Sequence, residues 1–356
     1  MKISLCFIAK NEEKVVERIL KLGNKFADEI VFVDTGSNDK TVEIAKKHTK
    51  NVYNFNWVND FSKARNFAFS KAKYEFLMWL DCDDFITEEN VEKIIKLKNE
   101  NANFDTYMFN YKVGNDDKNS ITFYRERLIR NTPQAKFQGF IHEAIPPFGR
   151  IAYTDIEIEH KKEKQSNPKR NLEIYKYHIK NGENLSSRDT YYLGKEYYYN
   201  GYFYTARKIL NKYLKMDRKY LPDVRDALLT LYIISTKKLK KSSVKYLLNC
   251  INICGFESEI LCKIGDEKLS CGEQILAIEY YEMALNCKKD GENKGFLKNE
   301  YYYLYPLLQL TYIYYKFGNI EKALYYHNLC LKENEEDNRV AYNQQFFKNY
   351  YKNFKK

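Results

Sequence analysis

Three carboxylates fall within four residues at Asp81-Cys82-Asp83-Asp84, directly after the apolar run Tyr74-Glu75-Phe76-Leu77-Met78-Trp79-Leu80. A strand that ends in clustered carboxylates delivers negative charge to the mouth of a sheet. Carboxylates this close repel one another unless a cation lies between them. Two readings follow: a divalent metal holding a substrate that brings its own negative charge, or an acidic surface turn. Cys82 reads as a small apolar filler, because flanking carboxylates raise a thiol's pKa rather than activate it.

Two further polar groups follow apolar runs. Asn11-Glu12 comes just after Ile3 to Ala9, and Asp34-Thr35-Gly36-Ser37-Asn38-Asp39-Lys40-Thr41 comes just after Glu29 to Val33. Gly36 permits a tight turn, and Ser37 or Asp39 suits the N-terminus of the next helix. Asp34 is expected to end its strand with a free carboxylate, able to accept from a nucleobase N–H or a ribose hydroxyl. The turn has neither GxGxxG nor GxxxxGK[ST], which disfavours dinucleotide and P-loop phosphate binding.

The elements that must position these groups alternate. Strands are expected over Lys2–Ile8, Glu29–Val33, Val52–Phe55 and Phe76–Leu80, and helices over Glu13–Leu22, Thr41–His48 and Phe61–Ala72. Further strands are expected over Thr106–Val113, Ile121–Tyr124 and Ile156–His160, with a loop-rich stretch from Asn131 to Arg150 between the last two. Strands alternating with helices argue for βαβ units and a mostly parallel sheet, whose ligands bind at the carboxyl ends of the strands. Asp34 and the Asp81 cluster then share one edge of one sheet.

In that order and spacing, Ile3-Ser4-Leu5-Cys6-Phe7-Ile8-Ala9-Lys10-Asn11-Glu12-Glu13, Val33-Asp34-Thr35-Gly36-Ser37-Asn38-Asp39-Lys40-Thr41, Asp60-Phe61-Ser62-Lys63-Ala64-Arg65-Asn66 and Trp79-Leu80-Asp81-Cys82-Asp83-Asp84 resemble family 2 glycosyltransferases. The likeness continues through Phe137-Gln138-Gly139-Phe140-Ile141-His142-Glu143 and His160. With helical repeats behind them, these segments resemble the subgroup that joins a GT-A domain to tetratricopeptide-like helices. That subgroup includes bacterial protein glycosyltransferases and sublancin-type peptide S-glycosyltransferases.

The resemblance implies a nucleotide-diphosphate sugar donor, usually a UDP-sugar, with Mg²⁺ or Mn²⁺. It implies that Ala9, Asn11 and Asp34 line the nucleoside pocket and that Arg65 approaches the base or the diphosphate. Asp81 would face the ribose or donor sugar, Asp83 would ligate the metal, and His160 would be a further ligand. Many family members carry a second Asp where Thr35 stands, so the base preference stays open. The family inverts the anomeric centre, which requires one carboxylate to take the acceptor's proton. Glu143 is the first candidate for that base and Asp84 the second.

Arg127 and Arg130 suit a diphosphate, since guanidinium pairs with phosphate oxygens in bidentate fashion. Each assignment has a plainer rival. Glu143 could pair with a nearby lysine, His142 could serve only to position its loop, His160 could be a core histidine, and the two arginines could be surface residues.

From Arg170 the pattern turns helical and rich in tyrosine. Gly201 with Ala206, Gly272 with Ala277 and Gly318 with Ala323 repeat one five-residue offset, and Leu193/Tyr197 and Leu310/Tyr314 precede the first and third. Small residues at these places let paired helices pack closely. The spacing is not uniform, so the repeat is degenerate, and Asp223–Asn252 is expected to hold a poorly matching helix pair. The expected fold is an α/β GT-A domain with a mostly parallel sheet at 1–165, followed by an all-α tetratricopeptide-like domain at 166–356, with the boundary in Lys161–Lys169.

The 356 residues are 44% hydrophobic and 30% charged, as in a soluble globular protein, and no apolar run approaches the ~20 residues that span a bilayer. The eight cysteines form no CxxC pair, which fits reduced thiols in a cytoplasmic protein. The net charge of +11 is uneven: residues 1–168 hold 27 basic and 26 acidic side chains, and residues 169–356 hold 32 and 22. Lysines spread over many helices read as a solvated surface and argue against nucleic acid.

The sequence therefore points to an inverting, metal-dependent transfer of sugar to a Ser/Thr hydroxyl or Cys thiol of a protein or peptide. Alternatives are a glycan-extending transferase for cell-surface polysaccharide and a non-catalytic adaptor that binds through its helices. An exposed repeat face would also allow a homodimer.

Overall fold

The computed structural model describes all residues except 101–102, 114–120, 162–166, 218, 240–242, 289–297 and 355–356. The chain forms two compact units, Met1–Ile209 and Leu210–Lys356. The boundary expected at 165/166 lies among residues outside this description, and the first unit runs on through two further helices and into a third.

The first unit is built on an eight-stranded sheet. Its strands are β1 (Ile3–Ala9), β2 (Glu29–Asp34), β3 (Asn51–Asn54), β4 (Phe76–Trp79), β5 (Asp84–Phe85), β6 (Thr106–Val113), β7 (Ile121–Arg130) and β8 (Ile151–His160), in the order β3-β2-β1-β4-β7-β6-β8-β5. The pairs β1–β2, β1–β4, β2–β3 and β6–β8 are parallel, and β4–β7, β6–β7 and β5–β8 are antiparallel. The period-2 alternation of the strands divides the core. Ile3, Leu5, Phe7, Ile30, Phe32, Phe76 and Met78 face α1 (Val16–Gly23) and α4 (Glu88–Asn99). Cys6, Val31, Val33, Leu77 and Trp79 face the other way, onto Ala68 and Phe69 of α3 (Phe61–Lys71). α2 (Thr41–His48) lies between β2 and β3 in the chain.

Each strand of the parallel half ends at the same edge. Ala9 is level with Asp34, and Cys6 with Trp79. The unit closes with α5 (Arg170–Lys180), α6 (Ser187–Tyr199) and the start of α7 (Phe203–Tyr213). Leu172, Ile174, Tyr175 and Leu193 of these helices bury against Ile141, Trp57 and Phe61. Among the described residues no helix is long and apolar enough to cross a membrane.

The second unit is helical: α8 (Leu221–Ile233) with a π-helical extension Ile234–Lys238, α9 (Val244–Cys254), α10 (Ser258–Ser270), α11 (Gln274–Leu285), α12 (Asn299–Tyr302), α13 (Leu304–Lys316), α14 (Ile320–Asn334) and α15 (Asn338–Phe354). The expected pair over Asp223–Asn252 is α8 and α9. Gly272 joins α10 to α11 and Gly318 joins α13 to α14, as Gly201 joins α6 to α7 in the first unit. All three have positive φ, which only glycine adopts without cost, and each ends one helix so that the next can turn back. Ala206, Ala277 and Ala323 are fully buried, as close pairing of helices requires. The region is tetratricopeptide-like. All eight cysteines are free thiols.

Candidate active site

The carboxyl edge of β4 carries the acidic cluster, and each carboxylate has a different environment. Asp84 is fully buried. It accepts from Tyr111 Oη at 2.9 Å and from the Asp81 N–H at 2.9 Å, and Arg127 Nη1 lies 3.1 Å from its Oδ2. The Arg127 guanidinium is itself enclosed between the Trp79 ring, 3.8 Å away, and the Tyr111 ring, 4.4 Å away. Asp83 is partly open. Burial, opposed by His160 and reinforced by Asp81 and Asp84, pushes its carboxyl up to about 6.

β5 pairs with β8 so that Asp84 stands opposite His160. His160 Nδ1 lies 3.6 Å from Asp83 Oδ1 and 3.7 Å from Asp84 Oδ1, is buried, and has no hydrogen-bond partner. Asp84, and behind it Asp83 and Asp81, raise the His160 pKa against the burial that lowers it. One donor atom from each of Asp83, Asp84 and His160 falls within a 4.8 Å span. Two carboxylates and an imidazole, with a buried ring nitrogen left over, fit a divalent cation.

Asp81 turns from this trio toward α3. Its Oδ1 accepts from Arg65 Nη2 at 2.7 Å, while Arg65 Nε donates to Glu143 Oε1 at 2.6 Å. Burial opposes ionisation of Asp81, but Arg65 and Arg127 outweigh it and hold the carboxyl down near 2. Arg65 lies over Trp79 at 4.7 Å and Phe137 at 5.4 Å. The plainer rival for Glu143 was an ion pair with a lysine; the partner is Arg65. Cys82 is buried, and burial followed by Glu12 and the three aspartates raises its thiol well above the usual range.

The residues expected to line a nucleoside pocket also meet at this edge, but Asp34 is not free. Its carboxylate accepts from the N–H groups of Gly36 at 3.0 Å and Ser37 at 3.1 Å, so it holds its own turn. The Ala9 carbonyl accepts from Thr35 N at 2.9 Å and Thr35 Oγ1 at 3.0 Å. Asn11, at φ 57°, accepts from Asn38 N through Oδ1 at 2.7 Å and donates its backbone N–H to Ser37 Oγ at 2.8 Å. Asp39 accepts from Thr41 N at the start of α2, the helping position expected of it.

Two of the predicted residues take other places. Arg130 pairs with Phe76 at the opposite end of β4 and donates to Asp105 at 2.9 Å, so it is not brought to the acidic edge. Arg127 reaches the edge but faces inward to Asp84. Asp84 itself, with no exposed surface and with Tyr111, Arg127 and a backbone N–H on its oxygens, is poorly placed to take a proton from an acceptor.

Tyr111, Arg125 and, on α6, Arg188, Tyr192 and Glu196 also stand near these groups, in stretches that carry no motif for chemistry. Arg125 Nη2 donates to the Glu143 carbonyl at 3.2 Å, and its guanidinium lies 5.0 Å from the Trp79 ring. No local pattern in the sequence marks these residues.

Residues 4–154 match the family described as Glycosyl transferase family 2. This segment belongs to that family. Over 145 residues the chain is 30% identical to a TPR repeat-containing protein of Synechococcus elongatus, covering 40% of this chain and 35% of that protein. Over 144 residues it is 29% identical to the SPbeta prophage-derived glycosyltransferase SunS of Bacillus subtilis, covering 40% of this chain and 34% of that one. The match thus spans about a third of the length of each curated relative. Among solved structures, S. aureus TarS 1–349 aligns over 94% of this chain and 92% of its own, at 13% identity and a TM-score of 0.37. The matched segment ends within β8, six residues short of His160.

Proposed function

We propose that this protein is an inverting glycosyltransferase that moves a sugar from a UDP-sugar to a protein or peptide side chain, with Mn²⁺ or Mg²⁺ as cofactor. The observation that carries the reading is the Asp83–Asp84–His160 trio, with its unsatisfied imidazole nitrogen, on the carboxyl edge of a family 2 domain. Asp83, Asp84 and His160 would hold the cation. Bound there, it supplies Lewis-acid neutralisation of charge growing on the diphosphate leaving group.

The chain's own groups divide the rest. Asn11 and Asp34 shape the turns beside the nucleoside pocket, and Asp81, held ionised by Arg65, accepts from sugar or ribose hydroxyls. The acceptor oxygen or sulfur attacks the anomeric carbon, the electron pair of the breaking bond leaves with the diphosphate, and the acceptor proton passes to Glu143. Arg65 fixes the direction of that carboxylate. The helical repeats favour a protein or peptide acceptor, since stacked helix pairs form concave surfaces suited to extended segments.

The test is a screen of nucleotide sugars with Mn²⁺, read by melting temperature and by release of nucleoside diphosphate. A UDP-sugar is expected to raise the melting temperature and to be turned over, because a ligand that binds only the native state stabilises it. Absence of both effects with every nucleotide sugar overturns the reading.

A further inference from the structure

The loop that carries Glu143 is short and strained. Gln138 and Ala144 bond to each other across it, at 3.0 and 3.2 Å, and between them His142 sits at φ 52°. A non-glycine residue persists in this left-handed region only where its surroundings over-determine it. On one side the determinant is α3: Phe61 N donates to the Phe140 carbonyl at 2.9 Å, and Asn66 exchanges two bonds with Phe137 at 3.0 and 2.9 Å.

On the other side it is the pair of helices beyond the family 2 segment. The His142 ring stacks on Tyr192, with centroids 4.2 Å apart and planes 12° from parallel. Its Nε2–H donates to Glu196 Oε1 at 3.0 Å. Glu196 is buried and is held in turn by Asn171 Nδ2 at 2.9 Å. Arg188 Nη2 donates to the His142 carbonyl at 3.0 Å, from a position 4.9 Å over the Tyr192 ring. Two residues upstream, Phe140 stacks on His178 of α5 at 3.6 Å, and His178 Nε2–H donates to the Asn59 carbonyl just before the α3 cap. The side chain and carbonyl of His142 are thus held by α6, and Phe140 is stacked by α5.

We propose that Arg188, Tyr192 and Glu196 are positioning residues for sugar transfer, acting through His142 to hold Glu143 against Arg65. The inference rests on the transferase reading above for its chemistry, and on the contacts alone for its geometry. It makes α5 and α6 part of the catalytic apparatus rather than of the repeat array. A segment lacking a sequence motif for chemistry would then set the direction of the group that receives the acceptor proton. The unfavourable His142 backbone is the element that α6 stabilises, so weakening α6 contacts frees the loop without touching the cation or nucleoside residues.

The test uses the full chain with Tyr192→Ala, Glu196→Gln and, as the conservative variant, Tyr192→Phe. Hydrogen exchange is followed over residues 138–145, with calorimetry of UDP plus Mn²⁺ and turnover of whichever UDP-sugar the parent uses. Tyr192→Ala and Glu196→Gln are expected to speed exchange in 138–145 at least tenfold and to lower kcat at least tenfold. KM for the donor and UDP affinity should stay within twofold, and Tyr192→Phe should stay near the parent in every readout. Unchanged loop exchange in both variants overturns the clasp. So does a loss of UDP affinity that parallels the loss of kcat, since that marks general damage. Should Tyr192→Ala not fold, Glu196→Gln decides, because it preserves side-chain shape. Should the parent turn over no UDP-sugar, the transferase reading fails, while loop exchange still decides the clasp.

Discussion

His160 stands opposite Asp84 in the β5–β8 register, and its Nδ1 is 3.7 Å from the Asp84 carboxylate without a hydrogen bond of its own. A buried imidazole nitrogen that close to two carboxylates has an unmet partner. Mn²⁺ is expected to meet it. His160→Ala or Asp83→Asn should weaken Mn²⁺ binding by at least about tenfold, the loss that removing even a group supporting a metal ligand brings. Calorimetric titration of the full chain checks this, and an affinity equal to the parent's in both variants removes the trio as the metal site.

Mn²⁺ binding should also depend on pH in a set direction. Asp83 is pushed up to about 6 by burial and its acidic neighbours, and His160 is raised by Asp84. Both must lose their protons to bind a cation, so proton and metal compete. Affinity is expected to begin falling while the pH is still above 6, as His160 takes up its proton, and to fall further as pH drops through about 6 and Asp83 takes up its own, by about tenfold per unit for each proton displaced. Titrations from pH 8 to 5 provide the measurement; a flat profile contradicts the assignment.

The two arginines of β7 should separate cleanly, although the sequence paired them. Arg127 is fully buried and is the counter-ion of fully buried Asp84. Arg127→Met takes the guanidinium away from that buried carboxyl group, which costs about 3 kcal/mol or more. Arg130 is about one-third exposed and pairs with Asp105 at the far end of the strand. Arg130→Ala should cost well under about 1 kcal/mol, as partly exposed pairs do. Urea unfolding gives both numbers. UDP affinity in Arg130→Ala should match the parent, and a marked loss would return Arg130 to the donor site.

The parallel half of the sheet was legible because its signals are local. Short apolar runs ending in Asn11, Asp34 and Asp81 place three strand ends, and β1, β2, β3 and β4 fall within a residue of expectation. Where charge interrupts the pattern the reading stopped short. β7 was expected to end at Tyr124 but continues through Arg125, Glu126 and Arg127, whose polar groups pair with one another, with Asp84 and with the Trp79 and Glu143 carbonyls. α4 was passed over, although Thr87 caps it, Glu88 and Glu89 open its first turn, and Val91 and Ile94 recur at helical spacing. Asp34 looked free because its bonds to Gly36 and Ser37 depend on the exact turn geometry. The grip of α6 on His142 joins residues about fifty positions apart, and no local pattern encodes it.

The helical unit offers a sharper test of packing than its weak repeat suggests. Gly265 in α10 is buried, and a Cβ there would lie 2.9 Å from the Tyr281 ring of α11. That ring cannot easily retreat. It is fully buried, and its hydroxyl donates to Asp266 Oδ1 at 2.7 Å, beside Tyr305 Oη at 2.8 Å on the same oxygen. Alanine would gain about 1 kcal/mol of helix propensity, but overpacking of this kind costs about 1–3 kcal/mol. Gly265→Ala is therefore expected to destabilise, and the larger Gly265→Asn to destabilise more. Gly272 differs: it has φ 79° and nothing within 4 Å of its Cβ position. There the constraint is backbone conformation alone, which asparagine tolerates better than alanine. The order should reverse, with Gly272→Asn more stable than Gly272→Ala. Urea unfolding of the four variants decides, and the same order at both positions would contradict the distinction between close helix approach at Gly265 and left-handed termination at Gly272.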